Sequence, residues 1–316
     1  MKVSIITVCK NSELHIEKAI KSVISQSYKD IEYIIIDGNS QDKTKEIVAK
    51  YGDHITYFVS EPDDGLYEAM NKGIKIATGS FINFLNSDDY FYDRYVIQDV
   101  INFIEFHPDC DFVYGDTHIR PDPKISNQSS ILKPPLPSEL AQAMIYGNLF
   151  VQGAVFTKHK LFSSLGIFSM DYKVSADFEW FTRLLQDSSL SIYYYPRTIF
   201  SFYQGGFSCY QGGQSGSTTT AQKEMFEIQN NLPVYQSVDW QKLRILRLQT
   251  AIIQLQDLTY KFQSLAEKRK VLIEKMSNPF YMVSIQLFFK LKLSIKSLIQ
   301  LFLKLKSIVK SLIKMN

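Results

Sequence analysis

The chain has 316 residues, of which 45% are hydrophobic and 21% charged, and its formal net charge is +3. This is ordinary globular composition, enough for one large domain with an appendage, and nothing global points to nucleic acid as a partner. Cys9, Cys110 and Cys209 are odd in number and far apart, so they form neither a disulfide framework nor a zinc spacing, which fits a reducing cytoplasm. The opening residues read straight into a strand, so no leader is expected. No apolar run reaches the roughly 18 residues of a spanning helix.

Val3 to Val8 is a short β-branched run. Ile16, Ala19, Ile20, Val23 and Ile24 follow at the spacing of one helix face. Ile31 to Asp37 reads as a second buried strand, and Ser40 and Asp42 offer helix caps before Ile47, Val48 and Tyr51. His54 to Val59 is expected as a third strand. Leu66, Met70 and Ala77 suggest a helix, and Ser80 to Leu85 a fourth strand. Three strand–helix units and a further strand predict an α/β fold with a parallel, doubly wound sheet.

Beyond this point the pattern loosens. A helix is expected over 93–107, strands over 111–114, 191–195 and 199–203, and an irregular excursion over 121–137. Residues 204–220, rich in Gly, Ser, Gln and Thr, read as a mobile loop. Residues 222–276 read as long helix. From Phe288 to Leu312, apolar residues recur at alternating spacings of 3 and 4 among lysines, with no acid after Glu274. Such a helix suits an anionic membrane surface, apolar face in the acyl boundary and lysines on the headgroups. Packing on protein is the other reading of the same pattern. The expected division is therefore a domain at 1–220, a helical extension at 221–278 and a basic amphipathic helix at 279–316.

The chemistry concentrates at strand ends. Asp37 closes the second strand, and Asp88 and Asp89 follow the fourth. Open α/β sheets bind ligands at that edge. Three carboxylates converging there repel one another unless a cation or donor groups compensate, and carboxylates can hold a divalent cation against a diphosphate. Turn and capping chemistry explains the same residues equally well. Between them, Glu61 to Gly73 sets polar residues in a loop and a helix start, where free N–H groups suit an anion. Asn71 and Lys72 are within reach of such a ligand or lie on a solvated face. Asp177, ahead of an apolar helix face, is an N-cap or a general base.

The ordered set of these motifs resembles the family 2 glycosyltransferases. Residues Val3 to Asn11, Tyr33 to Thr44, Glu61 to Gly73, Ala77 to Asp89 and Val174 to Trp180 carry the likeness. It spans roughly residues 1–210 and leans toward bacterial enzymes of surface polysaccharide. The resemblance implies a GT-A fold, a nucleotide-sugar donor (a UDP-sugar by expectation) and an inverting mechanism. It implies donor contacts from Thr7, Asn11, Asp37, Asp63, Asn71, Lys72, Asn86, Ser87 and Asp88. Mg²⁺ or Mn²⁺ is expected on Asp88 and Asp89, and Asp177 is the expected base. Asn86 stands where many relatives carry Asp, and Val151 where many carry His before Gln152. The acceptor is expected to be a saccharide or lipid-linked saccharide, and the location cytoplasmic, on the inner face of the cell membrane.

Overall fold

The computed structural model describes residues 1–121, 128–146, 150–205, 216–232, 235 and 238–275. Its first part follows the β-branched and amphipathic runs in order: β1 (Val3–Cys9), α1 (Ile16–Ile24), β2 (Ile31–Asp37), α2 (Thr44–Ala49), β3 (Tyr57–Ser60), α3 (Leu66–Ile76) and β4 (Phe81–Phe84). Next come β5 (Tyr90–Phe91), α4 (Val96–Phe106), β6 (Phe112–Arg120), β7 (Ser130–Leu132), α5 (Leu140–Tyr146), β8 (Val155–Lys158), α6 (Lys160–Ser164), α7 (Ala176–Gln186) and β9 (Ile192–Tyr203). The helices α8 (Gly216–Asn231) and α9 (Val238–Lys275) end the described chain.

The described strands form one sheet in the order β3-β2-β1-β4-β8-β6-β9-β5, with β7 pairing on β6. β3, β2, β1 and β4 are mutually parallel, as the repeated strand–helix units require. Every residue of β1 and β4 is buried, because helices cover both faces of such strands. β8 then runs antiparallel to both β4 and β6, while β6 and β9 are parallel. The sheet is thus parallel in its first half and mixed in its second.

Three local expectations are corrected. The third strand begins at Tyr57, because Gly52–His54 form a single 3₁₀ turn ahead of it. The two strands expected at 191–195 and 199–203 are one, β9, whose register against β6 shifts around Asp116. Pro196 has no N–H to give a ladder, and a bulge carries the strand past it. The single helix expected over 222–276 is two, α8 and α9. The residue before a proline is pushed out of the helical region, and Leu232-Pro233 stands between them. The chain divides into the units Met1–Leu232 and Pro233–Asn316. In the second, buried Tyr235 packs edge-on against Trp240 at 5.3 Å. The basic segment 279–316 lies outside the described residues, as does most of the expected loop at 204–220.

An aromatic cluster fixes α7 in the first unit. Trp180 stacks on Phe162 at 4.8 Å, Phe162 meets Phe168 at 5.9 Å, and Phe168 meets Phe84 of β4 at 5.4 Å. Burying such rings contributes on the order of 2–3 kcal/mol each. This anchorage sets the position of Asp177 in the first turn of α7.

Candidate active site

The C-terminal ends of β1 and β4 open into a cavity of about 770 Å³, within the usual range for ligand sites. Its walls are the loop after β1, the turn ahead of α3, the turn after β4 and the end of β9. Of the residues expected from sequence, Asn11, Asp63, Asn86, Ser87 and Asp88 line it. Ser87 and Ser12 bond through their hydroxyls at 2.8 Å, which ties two of the walls together.

Asp88 and Asp89 part company at this wall. Asp88 faces the cavity, and burial raises its carboxyl above the ordinary range against the pull of His15 and Arg120. Asp89 is only 2% exposed and lies behind the lining, where its Oδ1 accepts the Tyr203 N–H at 2.8 Å. Burial, followed by the neighbouring charge of Asp88, holds its carboxyl well above the usual range. Oδ1 of Asn86 is buried without a hydrogen-bond partner. An orphan acceptor of this kind calls for an explanation such as an ion or water.

Asp37 is fully buried and away from the cavity lining. Its Oδ2 accepts Ser40 N at 3.0 Å and Ser60 Oγ at 2.6 Å, and its Oδ1 accepts the Ser40 hydroxyl. Ser40 Oγ accepts Asn11 N at 2.7 Å, so Asp37 organises the loop that carries Asn11. Asn11 has φ of 51°, a left-handed conformation that Asn tolerates better than most residues. Thr7 is buried against Tyr33 Oη at 3.2 Å and does not reach the cavity. Gly38 leaves room for Asp63: a Cβ there would meet the Asp63 carboxylate.

Asn71 and Lys72 point elsewhere. Asn71 clasps the backbone of Phe168, donating to its carbonyl at 2.9 Å and accepting its N–H at 3.0 Å. Lys72 pairs with Glu61 at 2.9 Å and Glu68 at 3.3 Å. Asp177, half-buried, does not line the cavity either. It is joined to α3 by Tyr67, whose hydroxyl lies 2.8 Å from Asp177 Oδ1. Leu66, the preceding residue, lines the cavity. Burial raises the Asp177 carboxyl above its ordinary value.

The family model described as Glycosyl transferase family 2 matches residues 4–157, which include β1 to β4 and the Asp88 turn. The chain is a glycosyltransferase with a family 2 domain over those residues. A PGL/p-HBAD biosynthesis glycosyltransferase of Mycobacterium tuberculosis is 28% identical over 209 residues, 65% of this chain and 78% of that protein. An uncharacterized glycosyltransferase of Rickettsia typhi is 28% identical over 200 residues, 60% of each chain. Among solved structures, S. aureus TarS 1–349 in complex with UDP-GlcNAc superposes with a TM-score of 0.57 at 17% identity, covering 80% of this chain and 81% of that one. That likeness concerns the fold, which is GT-A.

In this glycosyltransferase several site residues carry no signal in the sequence. Arg120, at the end of β6, donates to the Asp88 carbonyl at 2.8 Å and to Ser201 Oγ at 2.9 Å. Its guanidinium lies over Tyr90 at 4.2 Å and stands 4.0 Å from Asp89. His15 lines the cavity beside Tyr203, ring to ring at 5.6 Å. Only the fold brings these positions together.

Among the described residues no group of three or more His, Cys, Asp or Glu side chains gathers as a metal centre. On the turn after β4, the Asp88 carboxylate stands at the cavity wall and the orphan Asn86 oxygen is buried two residues before it. An all-oxygen pair of this kind fits a hard divalent cation that keeps other ligands from water or phosphate. No described helix is long and apolar enough to cross a membrane.

Proposed function

We propose that this glycosyltransferase moves a sugar, with inversion, from a nucleotide-sugar donor to a hydroxyl of a saccharide or lipid-linked saccharide in cell-surface polysaccharide synthesis. A uridine nucleotide is the donor that the family resemblance favours. One observation carries the reading. Asp88, Asn86 and Asp63 line a single cavity, and the helix that opens at its rim with Leu66 holds Asp177 through Tyr67.

In this reading Asp88 and Asn86 would hold Mg²⁺ or Mn²⁺, with Asp89 buried behind them. When bound, such a cation offsets the charge that gathers on the departing nucleoside diphosphate. Asp63 and the Asn11 loop take the nucleoside end. Asp177 accepts the proton of the acceptor hydroxyl, whose oxygen bonds to the anomeric carbon from the face opposite the leaving group. A positioned carboxylate base contributes roughly 10²–10⁴-fold. The basic segment 279–316 would dock the enzyme on the inner face of the cell membrane, a proposal that rests on its sequence pattern alone. Truncation after Ser277 should release the chain from anionic vesicles; undiminished sedimentation with them would point to another anchor.

Incubation with a panel of nucleotide-sugars tests the activity. Release of nucleoside diphosphate, suppressed by a chelator, is expected. Release of pyrophosphate would indicate a nucleotidyltransferase instead, and binding without either product an inactive nucleotide-sugar receptor.

A further inference from the structure

The hydroxyl of Tyr67 sits between two acceptors. It lies 2.7 Å from the Val174 carbonyl oxygen and 2.8 Å from Oδ1 of Asp177. A phenol has one proton to give, and a carbonyl oxygen has none. Ionised Asp177 has none either, so the hydroxyl then serves only one of the two neighbours. Protonated Asp177 changes the count. It donates to Tyr67 Oη, and Tyr67 donates to Val174, so both contacts are satisfied together.

We propose that Tyr67 is the positioning residue of the Asp177 base, its single proton turning from the Val174 carbonyl to the Asp177 carboxylate as the base ionises and back as the base is protonated. The proposal rests on Asp177 being the base. In the step itself, the acceptor oxygen bonds to the anomeric carbon while the bond from that carbon to the diphosphate oxygen breaks. The electron pair of the broken bond leaves with the nucleoside diphosphate. The acceptor proton passes to Asp177, Tyr67 turns to Val174, and Asp177 then returns the proton to solvent.

The surroundings act on the Asp177 carboxyl in both directions. Burial favours the protonated form, and Glu224 of α8 adds to this through its charge. Glu224 is itself engaged by the backbone N–H groups of Lys173, Val174 and Ser175 at 2.8–2.9 Å. The Phe178 N–H, at 2.8 Å from Oδ1, and the Tyr67 hydroxyl of α3 favour the ionised form. So does the N-terminus of α7, in whose first turn Asp177 stands. Tyr67 is therefore the one neutral side-chain donor in this set that follows the charge of Asp177. A bond to an ionised acceptor is roughly twice as strong as one between neutral groups, so removing the hydroxyl disfavours ionisation.

The test is an infrared titration of the full chain, free of substrate, with ring-labelled tyrosine and Asp177→Asn as the blank. A protonated-carboxyl band should vanish with rising pH, and a phenol C–O band should move with the same midpoint. Both should be absent from Asp177→Asn. In Tyr67→Phe, whose ring keeps its contact with Phe168 (5.5 Å between ring centres), the carboxyl midpoint should rise by about one unit, a tenfold change in the ionised fraction at low pH. The low-pH limb of kcat/KM should move with it. A phenol band that stays still while the carboxyl titrates overturns the proposal in the wild-type chain, even where Tyr67→Phe fails to fold. So does an unchanged midpoint in folded Tyr67→Phe. Full turnover by Asp177→Asn would end the base assignment as well, whereas inactive Asp177→Asn with an unmoved phenol band would end the Tyr67 proposal alone.

Discussion

Arg120 fastens the turn of Asp88 to the end of β9. Its Nη2 donates to the Asp88 carbonyl at 2.8 Å and to the Ser201 carbonyl at 3.2 Å, and its Nε to Ser201 Oγ at 2.9 Å. One planar fork spans both walls, a geometry that an ammonium does not reproduce. At about 1 kcal/mol per net hydrogen bond, Arg120→Ala should cost roughly 2–3 kcal/mol. At about 2–4 °C per kcal/mol for a unit of this size, that lowers Tm by roughly 5–10 °C. Donor affinity measured by calorimetry should fall about tenfold, a loss of roughly 1.4 kcal/mol. Arg120→Lys should rescue neither; wild-type Tm and affinity in that variant would contradict the role.

Asp88 and Asp89 should respond differently because only Asp88 lines the cavity. Asp88→Ala should keep its Tm and lose the cation dependence of donor binding. Asp89→Ala removes the hydrogen bond from the Tyr203 N–H, a loss of about 1 kcal/mol. Thermal unfolding with and without Mn²⁺ separates the two. A cation response in Asp88→Ala equal to that of the wild type would remove Asp88 from the metal site.

Glu224 accepts three backbone N–H groups ahead of α7. Glu224→Ala leaves all three without a protein acceptor and should cost roughly 3 kcal/mol or more. Glu224→Gln, which keeps one acceptor oxygen, should cost less. Urea unfolding gives both values, and equal stability of the two variants would show that the clamp does not bear on folding.

Stability should also carry the mark of Asp177. Its folded-state carboxyl lies above the ordinary range because of burial, while in the unfolded chain it titrates near about 3.9. A raised value means that the folded state binds the proton more tightly. That stabilisation is complete below the unfolded value and is lost as pH rises through the folded one. The unfolding free energy of wild type minus that of Asp177→Asn should fall across this window and then level. A difference that grows with pH would contradict the burial of this group.

Gly38→Ala should disturb the site more than the fold. The new Cβ meets the Asp63 carboxylate, a side chain able to swing away. Asp63 would leave the cavity wall, and donor affinity should drop about tenfold, roughly 1.4 kcal/mol, with little change in Tm. Unchanged affinity would take Asp63 out of the donor site.

The parts of the site that a short run of residues defines could be read from the chain. The apolar run Ser80 to Leu85 with two carboxylates behind it announces a strand and its ligand edge, and β4 delivers Asp88 to the cavity. Asn71 was misleading because its polarity serves a backbone clasp 97 residues away. Tyr67 and Arg120 were invisible for the same reason: their partners lie 110 and 32 residues away, and no local pattern encodes such pairs. The bulge at Pro196 also escaped, since its pairing depends on β6 rather than on the residues around it.

Asp88 and Asp177 divide the labour, one serving the donor and the other the acceptor. This division is tested most directly by measuring donor affinity and turnover together in Asp177→Asn. Donor binding should stay within about threefold of wild type, or roughly 0.7 kcal/mol, and turnover should fall at least about 100-fold. Turnover within about threefold of wild type, again roughly 0.7 kcal/mol, would contradict that division.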